Sequence, residues 1–185
     1  MSIFKAYHKF MLYPEKENVL CPDYAGFDNF FPLVTLDLSH KGIMDKIHII
    51  YVSFNYNGRP EDENFPPEES MGNFTFDINP DNLYKPSFST NALVITEQYR
   101  IHFERTEKLY RQLKDNKKDI LEFLRTPKEP DWLQNDLTPF NSLGDKYNFI
   151  CQLELELLFE HVGNMYLYVF YDAHDKKVKY FYQCD

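Results

Sequence analysis

The chain is predicted to be an α+β domain: a largely antiparallel β-sheet of about six to eight strands with one long and one short helix packed on one side. Three observations predict it. Aromatic residues are in excess, with 17 Phe and 14 Tyr against six Gly, and such rings suit pleated, half-buried surfaces. Apolar and polar residues alternate with a period of two in several stretches, most clearly toward the carboxy terminus. One stretch in the middle changes to a helical period. A length of 185 residues suits a single domain, and a hydrophobic fraction of 43% suffices for a core.

The elements follow in order. Residues 1–32 are broken by Pro14, Pro22, Gly26 and Pro32 and read as a short strand followed by loops. From 33 to 38, Val34, Leu36 and Leu38 share one face of a strand, with Thr35 and Asp37 on the other. The next strand spans 47–56, with Ile50, Val52, Phe54 and Tyr56 on its drier face, and Asn57-Gly58 supplies a turn. Between 58 and 72, Pro60, Pro66 and Pro67 are mixed with Glu61, Asp62, Glu63, Glu68 and Glu69. That composition cannot bury apolar area and predicts an exposed loop. Phe74, Phe76 and Ile78 make a short strand closed by Asn79-Pro80, and a turn-rich loop leads to Asn91.

Here the period changes. Tyr99, Phe103, Thr106, Tyr110 and Leu113 fall on one stripe of a helix over 96–114, with Thr96 as its N-cap. A second short helix is predicted over 119–124, stopped by Pro127. Phe149, Cys151, Leu153, Leu155, Leu157 and Phe159 then alternate with Asn148, Gln152, Glu154 and Glu156, which describes a strand with one face buried and one wet. Residues 165–171 are apolar on both faces and predict a central strand, paired with 178–184 across a hairpin loop at 173–177.

Net charge is −9, which disfavours a nucleic-acid binder, since phosphate neutralisation needs a concentrated positive surface. Residues 97–125 carry a net +2, leaving −11 for the rest of the chain. No stretch approaches the length of a membrane span, and the first residues lack the apolar run of a signal peptide. Three cysteines, at 21, 151 and 184, do not make a disulfide framework, and a reducing cytoplasm is the expected location.

Chemistry-bearing residues are sparse. A zinc site needs three or four converging ligands, and no CxxC or HxxxH pair exists. The tightest group, His161, Asp172, His174 and Asp175, is separated by the length of the predicted strand 165–171, so no metal or other cofactor is expected. Cys151 reads as a buried small hydrophobe, and Cys184 is the thiol best placed to react. No Gly-x-Ser-x-Gly or phosphate-cradling motif is present. Glu154 and Glu156 stand two apart on the wet strand face, a pattern that an exposed strand produces without any function. Trp132, the single Trp, is expected to pack over the sheet and offer its indole N–H to a partner. Gln134, Gln152 and Gln183 reach the same side, where three amides would suit a neutral ligand or a peptide backbone.

Pro130-Asp131-Trp132-Leu133-Gln134, Phe149-Ile150-Cys151-Gln152-Leu153, the Gly163-led run to Tyr171 and the terminal Gln183-Cys184 occur in an order that resembles the YwqG-like family of uncharacterised bacterial proteins. The resemblance spans about residues 130–185 and implies a β-rich fold; it supplies no catalytic residues. Where many members of that family carry a cysteine pair, this chain has Thr138-Pro139-Phe140-Asn141-Ser142, so no metal role transfers.

The expectation is therefore a non-enzymatic cytoplasmic interaction protein, of the immunity type that neutralises a bacterial toxin. An acidic, Tyr-rich surface would meet a partner with a basic surface, and neither nucleic acid nor membrane is expected. Glu61, Asp62, Glu63, Glu68, Glu69, Glu154 and Glu156 are its candidate contacts. The alternative is a small-ligand or peptide-binding module around Trp132, Gln134, Gln152 and Gln183.

Overall fold

A computed structural model describes residues 9–54, 72–89 and 93–184. Among the described residues there are two antiparallel sheets and two α-helices, an α+β arrangement dominated by sheet. The smaller sheet joins β1 (Lys9–Leu12), β2 (Phe30–Asp37) and β3 (Lys46–Val52) in the order β1-β2-β3. The larger has six strands: β4 (Asn73–Ile78), β5 (Tyr84–Pro86), β6 (Leu124–Arg125), β7 (Asn148–Glu154), β8 (Met165–Asp172) and β9 (Lys177–Cys184). Their order is β5-β4-β9-β8-β7-β6, so β8 is interior, as its two apolar faces predict. The β8–β9 hairpin pairs Met165 with Cys184 and Asp172 with Lys177, the most regular ladder in the molecule.

A short helix, α1 (Pro22–Ala25), begins with proline at its first position, where the missing N–H costs nothing. The long helix α2 (Arg100–Asp115) starts later than its predicted N-cap. Thr96 lies a turn earlier, and the capping position is Tyr99, which contributes no side-chain cap. Its stripe packs as predicted: Phe103 and Tyr110 lie 6.0 and 5.2 Å from Phe31, and the Tyr110 hydroxyl donates to the Pro32 carbonyl at 2.8 Å. Pro32 sits inside β2, which is tolerated because the register shifts there and β1 pairs only from Val34 onward. No helix among the described residues is long and apolar enough to cross a membrane.

Three expectations are corrected. The second short helix at 119–124 is a 3-10 turn, Ile120–Glu122, capped by the Asp119 carboxylate on the Leu121 amide at 3.1 Å; the chain then enters β6. The strand predicted over 148–159 stops at Glu154, and two 3-10 turns follow, Leu155–Leu157 and Glu160–Val162. Leu155, Leu158 and Phe159 remain buried, so the apolar pattern recorded burial and not extension. Finally, β3 has no wet face: every residue from Ile47 to Phe54 is buried.

That last fact follows from how the two sheets meet. Burying β3 on both sides leaves its outward amides with no strand to pair with, and buried unpaired amides are costly. Tyrosine hydroxyls of the larger sheet supply the partners. The His48 amide donates to the Tyr84 hydroxyl at 2.9 Å, Ile50 to Tyr180 at 3.2 Å and Val52 to Tyr182 at 2.9 Å. The Tyr180 hydroxyl in turn donates to the His48 carbonyl. This gives the tyrosine excess a specific use: the rings fill the core while their hydroxyls finish a sheet edge.

The main core lies between the sheets and takes Leu167, Val169 and Tyr171 from β8 and Val178, Tyr180 and Tyr182 from β9. The other face of the same strands contributes Tyr168, Phe170 and Phe181 to a second cluster, covered by Trp132 and Leu137.

Candidate functional site

The segment 130–137 lies as a strap across the face predicted to be wet. Trp132 packs 4.6 Å from Tyr168 and 5.6 Å from Phe170, nearly parallel to the latter at 13°. The Asp136 carboxylate nearby sits below the usual carboxylate range, first through the Thr138 side chain and amide, then through Lys146 and lastly the Trp132 side chain. The glutamines do converge on this side. Gln152 Oε1 accepts the Asp131 amide at 2.9 Å, and Gln183 Oε1 accepts the Leu133 and Gln134 amides, each at 3.0 Å. Gln183 Nε2 donates to the Asn135 carbonyl and Gln134 Nε2 to the Cys184 carbonyl, both at 2.7 Å. The Tyr168 hydroxyl, pushed up to about 12 by burial, donates to the Asp131 carbonyl at 2.7 Å. The side-chain amides of Gln134 and Gln183 thus hold the chain's own backbone.

The predicted carboxylate pair is not brought together on a strand. Glu154 ends β7 and is ion-paired with Arg125 at 3.0 Å, whereas Glu156 is exposed on the turn beyond. Glu61, Asp62, Glu63, Glu68 and Glu69 lie outside the described residues. Among the described residues no group of three His, Cys, Asp or Glu could hold a metal ion. His161 lies at the opposite end of β8 from Asp172 and Asp175. Asp172 accepts from Asn141 at 3.0 Å, and Asp175 accepts the Ser142 hydroxyl at 2.6 Å. Cys151 is fully buried and its thiol is pushed up by desolvation, which leaves it unreactive.

A different site is present that the sequence did not single out. Between α2 and the ends of β3, β8 and β9 lies a cleft of about 290 Å³. Tyr51, Ser53 and Phe54 form one wall, Tyr99, His102 and Thr106 the second, and His161 to Met165 the third, with Cys184 at the rim. Thr106 is 1% exposed and is the one polar residue on the buried stripe of α2. Its hydroxyl contacts His161 Nε2 at 2.8 Å, so a hydrogen bond ties α2 to the 160–162 turn beside the Tyr51 wall of the cleft. Burial and, secondarily, the neighbouring Tyr99 push the Tyr51 hydroxyl well up. Stacking of Tyr51 on Phe159 at 4.7 Å fixes the ring from behind.

His161 is the member with an unmet hydrogen bond. Desolvation, followed by the charges of Arg105 and His102, lowers its pKa below the ordinary histidine value. Its Nδ1 is out of solvent without a hydrogen-bond partner among the described residues. His102 lies against it with ring centroids 6.3 Å apart and planes within 22°. Gly163, at φ +68° and ψ −163°, holds a conformation that costs other residues strain and turns the chain from the 160–162 turn into β8. In sequence only Thr106, polar on an apolar stripe, hinted at this place. The other walls come from elements distant along the chain.

No protein-family model matches this chain, and comparison with curated proteins and with solved structures returns no match; what the chain is must therefore be argued from these two places, the glutamine-braced strap and the cleft beside α2.

Proposed function

We propose that the chain is a non-catalytic binding protein whose ligand, a small organic molecule, occupies the cleft between α2 and the ends of β3, β8 and β9. The observation that supports this most is the cleft's construction. Aromatic walls and a few neutral polar groups surround the Thr106–His161 hydrogen bond, the composition common to small-molecule sites. The Trp132 region is a weaker candidate for the same role, because its glutamines are occupied by the 130–137 backbone. The test is a screen of low-molecular-weight compounds against the isotopically labelled full chain by amide chemical shifts. Hits that move Ser53, His102, Thr106 and Gly163 together support the reading, and their loss in Thr106→Val strengthens it. Hits confined to Trp132 and its neighbours defeat it.

A second reading, an immunity-type protein that captures a partner with a basic surface, is supported by the −9 net charge and its concentration outside 97–125. Of the acidic residues in the described part, Glu156 is exposed and Glu154 is engaged with Arg125. A stoichiometric partner retained at low salt and lost at high salt would favour it; retention at high salt would defeat it. Kinship with the YwqG-like family is likewise a proposal, supported by the fact that Trp132, Gln134, Gln152 and Gln183, which carry the resemblance, form one bonded unit. A cytoplasmic setting belongs to the same proposal, supported by three cysteines that stand as thiols.

A further inference from the structure

Resting on the cleft as the binding site, we propose that its ligand is a small aromatic carboxylate, with the ring against Tyr51, Phe54 and Met165 and the anionic group beside His102 and His161. The first argument is charge. The chain carries −9, yet no Asp or Glu among the described residues lines the cleft; its titratable lining consists of two histidines, two tyrosines and Cys184. The charged groups acting on His161 are Arg105 and His102 from α2 and Glu160 from its own turn; of these, the two from α2 disfavour its protonation most. A cation in that place is opposed, and an anion is attracted.

The second argument is the unfinished hydrogen bonding of His161. The Thr106 hydroxyl engages His161 Nε2 at 2.8 Å, in whichever direction, and leaves Nδ1 over. A buried ring nitrogen without a partner marks a place where something outside the chain completes the network. Once protonated, the ring has two N–H donors and the protein offers an acceptor for one. A small rotation of His161 then presents the second N–H to a carboxylate, the acceptor that the lining itself lacks. The third argument is size: about 290 Å³ with tyrosine and phenylalanine walls suits one ring and its substituent.

Linkage fixes the pH dependence. A bound anion favours protonated histidine, so binding takes up protons; because His161 is held below the ordinary histidine value of ~6.5, affinity rises as pH falls through and below that value. The experiment titrates the labelled full chain with benzoate, benzamide and benzylamine at pH 6.0 and 8.0, following amides and the histidine ring protons. Benzoate should move His102, His161 and Gly163, bind about tenfold more tightly than benzamide at the lower pH, and lose several-fold at the higher. His102→Gln should weaken benzoate several-fold and benzamide by clearly less. Equal binding of benzoate and benzamide, or benzoate affinity flat with pH, overturns the carboxylate and leaves the cleft standing as a site. Preference for benzylamine overturns it as well, and no cleft response to any of the three overturns the site itself.

Discussion

The side-chain oxygen of Gln183 accepts the backbone amide of Gln134 at 3.0 Å, and the same oxygen takes the Leu133 amide at the same distance. One buried side chain on β9 thereby fixes two consecutive peptide groups of a segment that belongs to neither a helix nor a strand. Replacing Gln183 with Leu removes the acceptor and also the donor to the Asn135 carbonyl. Each buried group left unpaired costs about 1–3 kcal/mol. Because Trp132 is the single Trp, its fluorescence reports on the strap alone. The expected result is a red-shifted emission maximum at denaturant concentrations where far-ultraviolet dichroism is still native.

The tyrosine hydroxyls give a second prediction. Tyr180→Phe keeps the ring in the core but strips the Ile50 amide and the His48 carbonyl of their partner. A loss of about 1–3 kcal/mol in urea denaturation is expected, with an unchanged dependence on denaturant. An equal loss in Tyr166→Phe, whose ring lies on the opposite face, would show the effect to be nonspecific.

Acid stability is the third. His48 is 1% exposed, donates from Nε2 to the Asn82 carbonyl at 2.8 Å and, in the neutral ring, accepts the Thr35 hydroxyl at Nδ1 at 2.8 Å. Burial, outweighing the Asn82 carbonyl, lowers its pKa to about 4. A folded-state value below the unfolded one means the unfolded chain binds the proton first. The contribution is fully present above about pH 6.5, is lost as pH falls toward about 4, and amounts to on the order of 3 kcal/mol across that window. His161, also lowered, acts in the same direction. Denaturation midpoints at pH 7.5 and 4.5 should differ strongly in the native chain and much less in His48→Gln.

A fourth prediction concerns Gly72, which enters β4 at φ +75°. A Cβ there would stand 2.9 Å from both the Phe54 ring and the Tyr182 Cβ. Gly72→Ala combines positive φ with a clash against a ring and a Cβ, and a loss of about 2–4 kcal/mol in thermal or urea unfolding is expected.

Local alternation made the β8–β9 hairpin and β4 legible, since both strands read the same whether neighbours are known or not. The α2 stripe was legible for the same reason, although its start was not, because Thr96 looks like a cap and the helix begins a turn later. Alternation misled where an apolar residue was buried by a turn, as at Leu155 and Phe159, and where a polar one was covered from outside, as at Gln152. The two-residue β6 and the three-residue β5 are too short to carry a period. Trp132 and the glutamines were correctly placed on one side of the sheet, but their bonding to the strap backbone depends on loop geometry. The cleft was invisible because Tyr51, Thr106 and His161 are brought to one place only by the tertiary fold.

Finishing β3 with hydroxyls has a consequence for association. An incoming strand from another molecule would find the amides of His48, Ile50 and Val52 already occupied, and could dock only after three rings were withdrawn from the interior. Fibrillar stacking along that rim is thereby opposed by the same side chains that weld the two layers, so solubility of the folded chain and cohesion of its interior share one set of atoms.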